Sequence, residues 1–236
     1  MLREKHIAIV LAGGSGSRMN SDVNKQYMLL KDKPILYYCL RTFEDSFIDE
    51  IILVVPKGGI EYGQNGIVDK YNFKKVIKVV EGGKERYHSV WNGISEIKDF
   101  NNAYIYIHDG ARPFITEDEL KKLKKVVVNE SACVLAVPTK DTIKLANEDG
   151  YCVDTPNRKN VWCIQTPQVF AAKLVYDAYA ELIDKEEAIL NDGINITDDA
   201  MVVECFASSK IKFVEGSYKN IKITTPEDMD IARVFI

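Results

Sequence analysis

The chain has 236 residues, 46% of them hydrophobic and 28% charged, which suits one sizeable globular core. Its 31 Lys and Arg against 35 Asp and Glu leave a formal net charge of -4, so no broad basic field points to nucleic acid and any anion site must be local. No apolar run approaches the ~18 residues of a membrane span, "HIAIVL" is too short for a secretory signal core, and the five cysteines form no CxxC pair or zinc spacing, so a cytoplasmic protein is expected.

Short apolar runs alternate with helical patterns along the chain. "HIAIVL" (6–11), "EIILVV" (50–55), "VIKVV" (76–80), "AYIYI" (103–107) and "ACVLAV" (132–137) read as strands buried on both faces. Helices are expected in "PILYYCLRTFED", with Pro34 at its first position, and in "ERYHSVWNGISEIK", where Val90, Ile94 and Ile97 form one stripe. A third is expected in "TEDELKKLKKVVV", where Thr116 and Glu119 have the spacing of a capping box. The alternation predicts an α/β fold, a mostly parallel twisted sheet with helices on both faces.

After Pro138 the pattern changes. Residues 139–161 hold short β-like pieces around the turn "NEDG" and read as a hairpin excursion. A long helix is expected over about 171–189, and a shorter one in "TDDAMVVECFA" with Thr197 as its cap. The strand "KIKFVEG" and the segment "YKNIKITTPEDMDIARVFI" close the chain, with Lys222 set between Ile221 and Ile223 in a strand and facing away from both. The whole of 1–236 is expected to be one domain.

The stretch "VLAGGSGSRM" carries the first chemical signal. A strand that leaves a parallel sheet through Gly13, Gly14 and Gly16 exposes backbone N–H groups on which phosphates can rest. It is not a Walker loop, which would need Gly-Lys-Ser/Thr, and Met19 stands where a dinucleotide fingerprint needs glycine. Arg18 and Lys25 instead place two cations on one glycine loop, which suits a triphosphate. Taken alone, the loop could also be a tight turn and the cations solvated. Asp109, just past a predicted strand, suits a hard cation such as Mg²⁺ or a turn before Gly110.

"LAGGSGSRM" with "KQY" resembles the opening of sugar-nucleotide-type nucleotidyltransferases. "EGGKERYHSV", "HDGARPF", "DTIK", "QTPQVF", "ITDDA" and "NIKITTPED" then follow in order. Together they resemble the 2-C-methyl-D-erythritol 4-phosphate cytidylyltransferases of the non-mevalonate isoprenoid pathway, over essentially the whole chain. The ribitol-5-phosphate cytidylyltransferases are the nearest alternative; Ala111 and the complete "ITDDA" block side with the methylerythritol group. A nucleotide-binding module without turnover is the alternative of another class.

The resemblance implies a Rossmann-like three-layer fold. It implies attack of a sugar-phosphate oxygen on the α-phosphorus of CTP, with loss of pyrophosphate. Arg18, Lys25 and Lys222 match catalytic cations. Ala12, Gly13, Gly14, Gly16, Gly82, Gly83, Ser89 and Asp109 match the nucleotide site, with Asp109 also organising Mg²⁺. Arg112, Thr142, Arg158, Thr166 and Thr197 match the acceptor site. Thr142 and Arg158 lie on the 139–161 excursion, which resembles a β-arm that enters a partner's site and implies a homodimer. His108 reads as a structural histidine. Lys84 departs from the family, which often has Asp after the two glycines.

Overall fold

The computed structural model describes residues 3–14 and 24–236. Strand β1 (Lys5–Leu11) is followed by a small ribbon, β2 (Leu29–Leu30) and β3 (Lys33–Pro34), then by α1 (Ile35–Asp45) and β4 (Glu50–Val55). Next come β5 (Val76–Glu81), α2 (Arg86–Ile94), β6 (Ala103–Asp109), α3 (Glu117–Glu130) and β7 (Ala132–Pro138). A hairpin of β8 (Leu145–Ala146) and β9 (Cys152–Asp154) leads to β10 (Trp162–Ala171). The chain ends with α4 (Ala172–Asp184), α5 (Glu186–Asn191), α6 (Asp199–Ala207), β11 (Lys212–Glu215) and α7 (Pro226–Phe235).

The described residues form a seven-stranded sheet in the order β11-β7-β10-β6-β1-β4-β5. β6, β1, β4 and β5 run parallel, and β10 runs antiparallel to both β6 and β7. Side chains alternate across a strand, so β1 feeds two cores. Ile7, Ile9 and Leu11 pack with Val90 and Ile94 of α2, Val175 and Tyr179 of α4, and Val202 of α6. Ala8 and Val10 pack on the other face with Leu40 and Phe43 of α1 and Leu120 and Leu123 of α3. This is the expected three-layer α/β fold. The parallel strands bring the exits of β1, β4, β5 and β6 to one carboxyl edge, where such sheets bind ligands.

The capping box stands: Glu119 N–H donates to Thr116 Oγ1 (3.3 Å), and Thr116 N–H donates to Glu119 Oε2 (3.0 Å). Five details differ from the sequence reading. Pro34 is the N-cap of α1 rather than its first residue, and α2 stops at Ile94, with Ile97 buried in the turn beyond it. The long helix over 171–189 is two, α4 and α5, broken at Lys185 with φ -102° and ψ 10°. Asp198, not Thr197, caps α6: its Oδ1 accepts from Met201 N–H at 3.0 Å, while the Thr197 hydroxyl faces Met201 Sδ. Lys222 is not in a strand; its segment is held by Ile223 N–H donating to the Ala111 carbonyl (2.9 Å) and by Ile223 packing beside α7.

The 139–161 excursion carries the β8–β9 hairpin. Gly150, at φ +82°, turns the chain, and Tyr151 N–H donates to Asn147 Oδ1 (2.9 Å). Leu145, Tyr151 and Val153 stand exposed on it, an unusual surface for so short a hairpin.

Candidate active site

Two hollows meet at the carboxyl edge. One, of about 380 Å³, is lined by residues including Gly13, Gly14, Lys25, Gly83, Lys84 and Ser89. The other, of about 310 Å³, is lined by residues including Arg112, Thr166, Thr197 and Asp198. Arg86, Asp109 and Lys222 line both and form the junction.

Asp109 ends β6. Its N–H donates to Thr166 Oγ1 (3.0 Å), which fixes the backbone from β10. Three cations surround its carboxylate: Lys222 Nζ at 2.9 Å, Arg112 Nε at 3.5 Å and Arg86 Nε at 3.7 Å. Burial opposes the charge, but Lys222, Arg86 and Arg112 together outweigh it and hold the carboxyl well below the usual range. Asp109 is therefore ionised at neutral pH. A single hard carboxylate at a phosphate-sized cleft fits a magnesium ion held mainly by substrate phosphates, since such ions take one or two carboxylates and no protein cage. Among the described residues, no three His, Cys, Asp or Glu gather into such a cage.

Arg86 is the functional residue that the sequence reading missed. It opens α2, where the helix dipole disfavours a cation. The compensation is Asp199, fully buried in the first turn of α6, which takes both guanidinium nitrogens at 2.7 Å. The buried Tyr179 hydroxyl also donates to Asp199. Burial works against the Arg86 charge, and Asp199 more than restores it, raising the group well above its ordinary value. The available signal was a cation in a helix's first turn and an acid doublet before an apolar run.

Arg112 Nη1 donates to the Asn220 carbonyl (2.7 Å), which ties β6's exit to the Lys222 segment. Its Nε is buried and makes no hydrogen bond, although Asp109 Oδ2 lies 3.5 Å away. His108 is fully buried between the Arg112 carbonyl at Nε2 (3.1 Å) and Thr166 Oγ1 at Nδ1 (3.1 Å). The carbonyl can only accept, so Nε2 carries the proton and Nδ1 accepts from Thr166. Burial pushes the imidazole down to about 4, so it is neutral and structural.

The residues that the sequence resemblance assigns to the nucleotide offer mostly backbone. Ala12 is buried beneath the cleft and donates to the Val54 carbonyl (2.7 Å). A Cβ at Gly13 would meet nothing closer than the Val55 carbonyl oxygen at 3.5 Å, so protein packing does not demand glycine there. The second turn differs: a Cβ on Gly82 would lie 2.8 Å from Ser89 Oγ, and one on Gly83 only 2.2 Å from His88 Cβ. Gly83 N–H donates to Ser89 Oγ (3.1 Å). Gly82 opens on a side hollow of about 580 Å³ shared with Gly13, Gly83 and Lys84. Lys25 sits buried in the short turn Lys25–Tyr27.

The structure thus gathers Gly13, Gly14, Lys25, Gly83, Ser89, Asp109, Arg112, Thr166, Thr197 and Lys222 around one cleft. Gly16 and Arg18 lie outside the described residues. Thr142 and Arg158 are exposed and line neither hollow; Arg158 Nη1 donates to the Lys140 carbonyl (3.2 Å).

Residues 6–236 match the family model described as 2-C-methyl-D-erythritol 4-phosphate cytidylyltransferase. The protein of that name from Lachnospira eligens is 53% identical over 230 residues, covering 97% of this chain and 98% of the relative. The one from Lachnoclostridium phytofermentans is 48% identical over 233 residues, covering 99% and 97%. Among solved structures, the 4-diphosphocytidyl-2C-methyl-D-erythritol synthase of Anaerococcus prevotii superposes with a TM-score of 0.81 at 33% identity, covering 98% of each chain.

Proposed function

The chain belongs to the 2-C-methyl-D-erythritol 4-phosphate cytidylyltransferase family, and from that premise we propose how its residues divide the work of the reaction. The enzyme transfers a cytidylyl group from CTP to 2-C-methyl-D-erythritol 4-phosphate. A phosphate oxygen of the acceptor bonds to the α-phosphorus as the bond from that phosphorus to the pyrophosphate oxygen breaks. No strong base is needed, because the attacking oxygen is already ionised. Positioning and charge neutralisation carry the catalysis.

The observation that carries this reading is the junction of Asp109 with Lys222, Arg112 and Arg86, where the two hollows meet. CTP lies along the larger of the two hollows that meet at Asp109. Its base faces Gly13, Gly82, Gly83 and Ser89, and its phosphates face Gly14 and Lys25, to which the family resemblance adds Gly16 and Arg18. The acceptor phosphate takes the smaller hollow, where Arg112 offers a buried donor that has no hydrogen bond within the protein. Thr197 lines the acceptor's polyol, and Thr166 holds the Asp109 backbone in register. Lys222 bridges the halves and neutralises the charge that grows as acceptor oxygen meets phosphorus. Asp109 would hold Mg²⁺, which when bound withdraws charge from the phosphates and orients them.

The β8–β9 hairpin, with its exposed Leu145, Tyr151 and Val153, supports a homodimer in which each arm brings Thr142 and Arg158 to the partner's acceptor hollow. Mixing Arg158→Ala with Lys222→Ala chains should then restore about a quarter of wild-type activity, since half the dimers carry one intact site. No recovery would dismiss the shared site. The cytoplasm is the compartment that fits five cysteines with no disulfide among them and phosphorylated substrates.

The test of the reaction is pyrophosphate release with CTP and Mg²⁺, comparing 2-C-methyl-D-erythritol 4-phosphate with ribitol 5-phosphate. Fast release with the first alone is expected. Fast release with ribitol 5-phosphate alone would move the enzyme to the other acceptor, and release with neither would leave only a nucleotide-binding module.

A further inference from the structure

The turn that faces the nucleotide base is held on two sides, Gly82 N–H donating to the Val55 carbonyl of β4 (2.7 Å) and Gly83 N–H to Ser89 Oγ of α2 (3.1 Å). Gly82 and Gly83 are pressed against the first turn of α2, with His88 Cβ on the line a Gly83 side chain would take and Ser89 Oγ on that of Gly82. On the α2 side, whatever fixes His88 therefore restrains the backbone of Gly83.

His88 is held at both ring nitrogens. Glu85 N–H donates to Nδ1 (3.2 Å), so Nε2 carries the proton. That proton points at the carboxylate of Glu186, with Nε2 at 3.0 Å from Oε1 and 3.1 Å from Oε2. The neighbouring Tyr87 hydroxyl donates to Glu186 Oε1 at 2.7 Å. The Tyr87 and His88 rings lie 4.4 Å apart, centroid to centroid, so one carboxylate grips two adjacent side chains of α2. The Tyr87 and His88 hydrogen bonds hold the Glu186 carboxyl below its ordinary range, which keeps it ionised for this grip. Glu186 sits in the first turn of α5, separated from His88 by 98 positions in sequence.

We propose that Glu186 is a positioning residue for nucleotide binding, acting through His88 and Tyr87 to set the Gly82–Gly83 turn. It touches no substrate. It ties α5 to the end of α2 that carries Ser89, and so makes CTP affinity depend on a residue outside the cleft. The break at Lys185 falls immediately before Glu186, so the residue that grips α2 opens α5.

This inference rests on the reading of the larger hollow as the CTP site, and its test has one arm that does not. In the free full-length protein, Glu186→Ala should speed amide hydrogen exchange over residues 82–89 and leave β6 and β10 unchanged. In steady state, the same variant should raise KM for CTP on the order of tenfold, with kcat and the acceptor's KM near wild type. Glu186→Gln keeps an acceptor oxygen and should recover most of the loss. Unchanged exchange over 82–89 would overturn the clamp. Faster exchange with KM for CTP unmoved, or with kcat and both KM values shifted alike, would overturn the positioning role and leave only a packing contact. A wild-type protein inert toward CTP would instead count against the reading of the cleft, and the exchange result would still decide whether Glu186 holds the turn.

Discussion

The two halves of the cleft are made of different material. The half proposed for the nucleotide is chiefly backbone, two glycine turns at the ends of β1 and β5 with Ser89 beside them. The other half, with the junction, is charged side chains, Asp109, Arg112, Arg86 and Lys222, each held by a partner from a distant part of the chain. Backbone donors at a glycine turn offer a fixed pattern that can read a base edge at little electrostatic cost. Buried charges offer strong fields for a crowded phosphorus but must be compensated one by one. The halves should therefore fail differently when cut.

The largest effect is expected in the charged half, at Arg86. Arg86→Ala leaves Asp199 buried without its counter-ion, which should cost about 3–5 kcal/mol of stability. Chemical denaturation measures it, and a loss below about 1 kcal/mol would mean that the pair is not compensating buried charge. Pairing Arg86→Met with Asp199→Asn should recover a large part of the loss, because neither charge is then orphaned.

Next comes His108, which burial beside the charged half keeps neutral. Its folded value of about 4 lies below the ordinary 6.5, so between these values the unfolded chain binds the extra proton. Stability should thus fall as pH drops from about 6.5 to about 4, by about 3 kcal/mol from this residue. Asp109 adds little in that window, because its ordinary value of 3.8 and its lower folded value both lie beneath it. His6 is also lowered by burial and contributes in the same direction, so the His108 share is read as the difference between wild type and His108→Asn. Parallel pH profiles for the two proteins would contradict it.

The backbone half should show the smallest losses of stability and the sharpest positional contrast. Gly83→Ala drives a Cβ to 2.2 Å from His88 and should cost roughly 1–3 kcal/mol in stability as well as CTP affinity. Gly13→Ala meets nothing within 3.5 Å and should spare stability while weakening CTP alone. Thermal melts with and without CTP separate the two. Equal behaviour would erase the distinction between a glycine needed by the fold and one needed by the ligand.

Much of the site lay open in the sequence because its chemistry is local. The glycine exit of β1, Asp109 just past the apolar run of β6, and the Thr116–Glu119 box each fit within a few residues. The facing of Lys222 was legible from its flanking isoleucines even though no strand forms there. The Arg86–Asp199 pair was not legible, since its members are 113 positions apart and only the packing of α4 and α6 against α2 brings them together. The split between α4 and α5 was hidden because "ELIDKEEAIL" has no glycine or proline to punctuate it. Thr197 and Asp198 stand side by side and both residue types cap helices, and the geometry chooses the aspartate, the better cap of the two.

The central claim is that the junction of the halves is where the phosphoryl bond is exchanged. The direct measurement is the single-turnover rate of pyrophosphate release by Lys222→Met with both substrates saturating, beside its CTP affinity by calorimetry. The account predicts a rate lower by about 10²–10³, with CTP affinity within a few-fold of wild type. A wild-type rate would contradict it and move the chemistry away from Asp109 and Lys222.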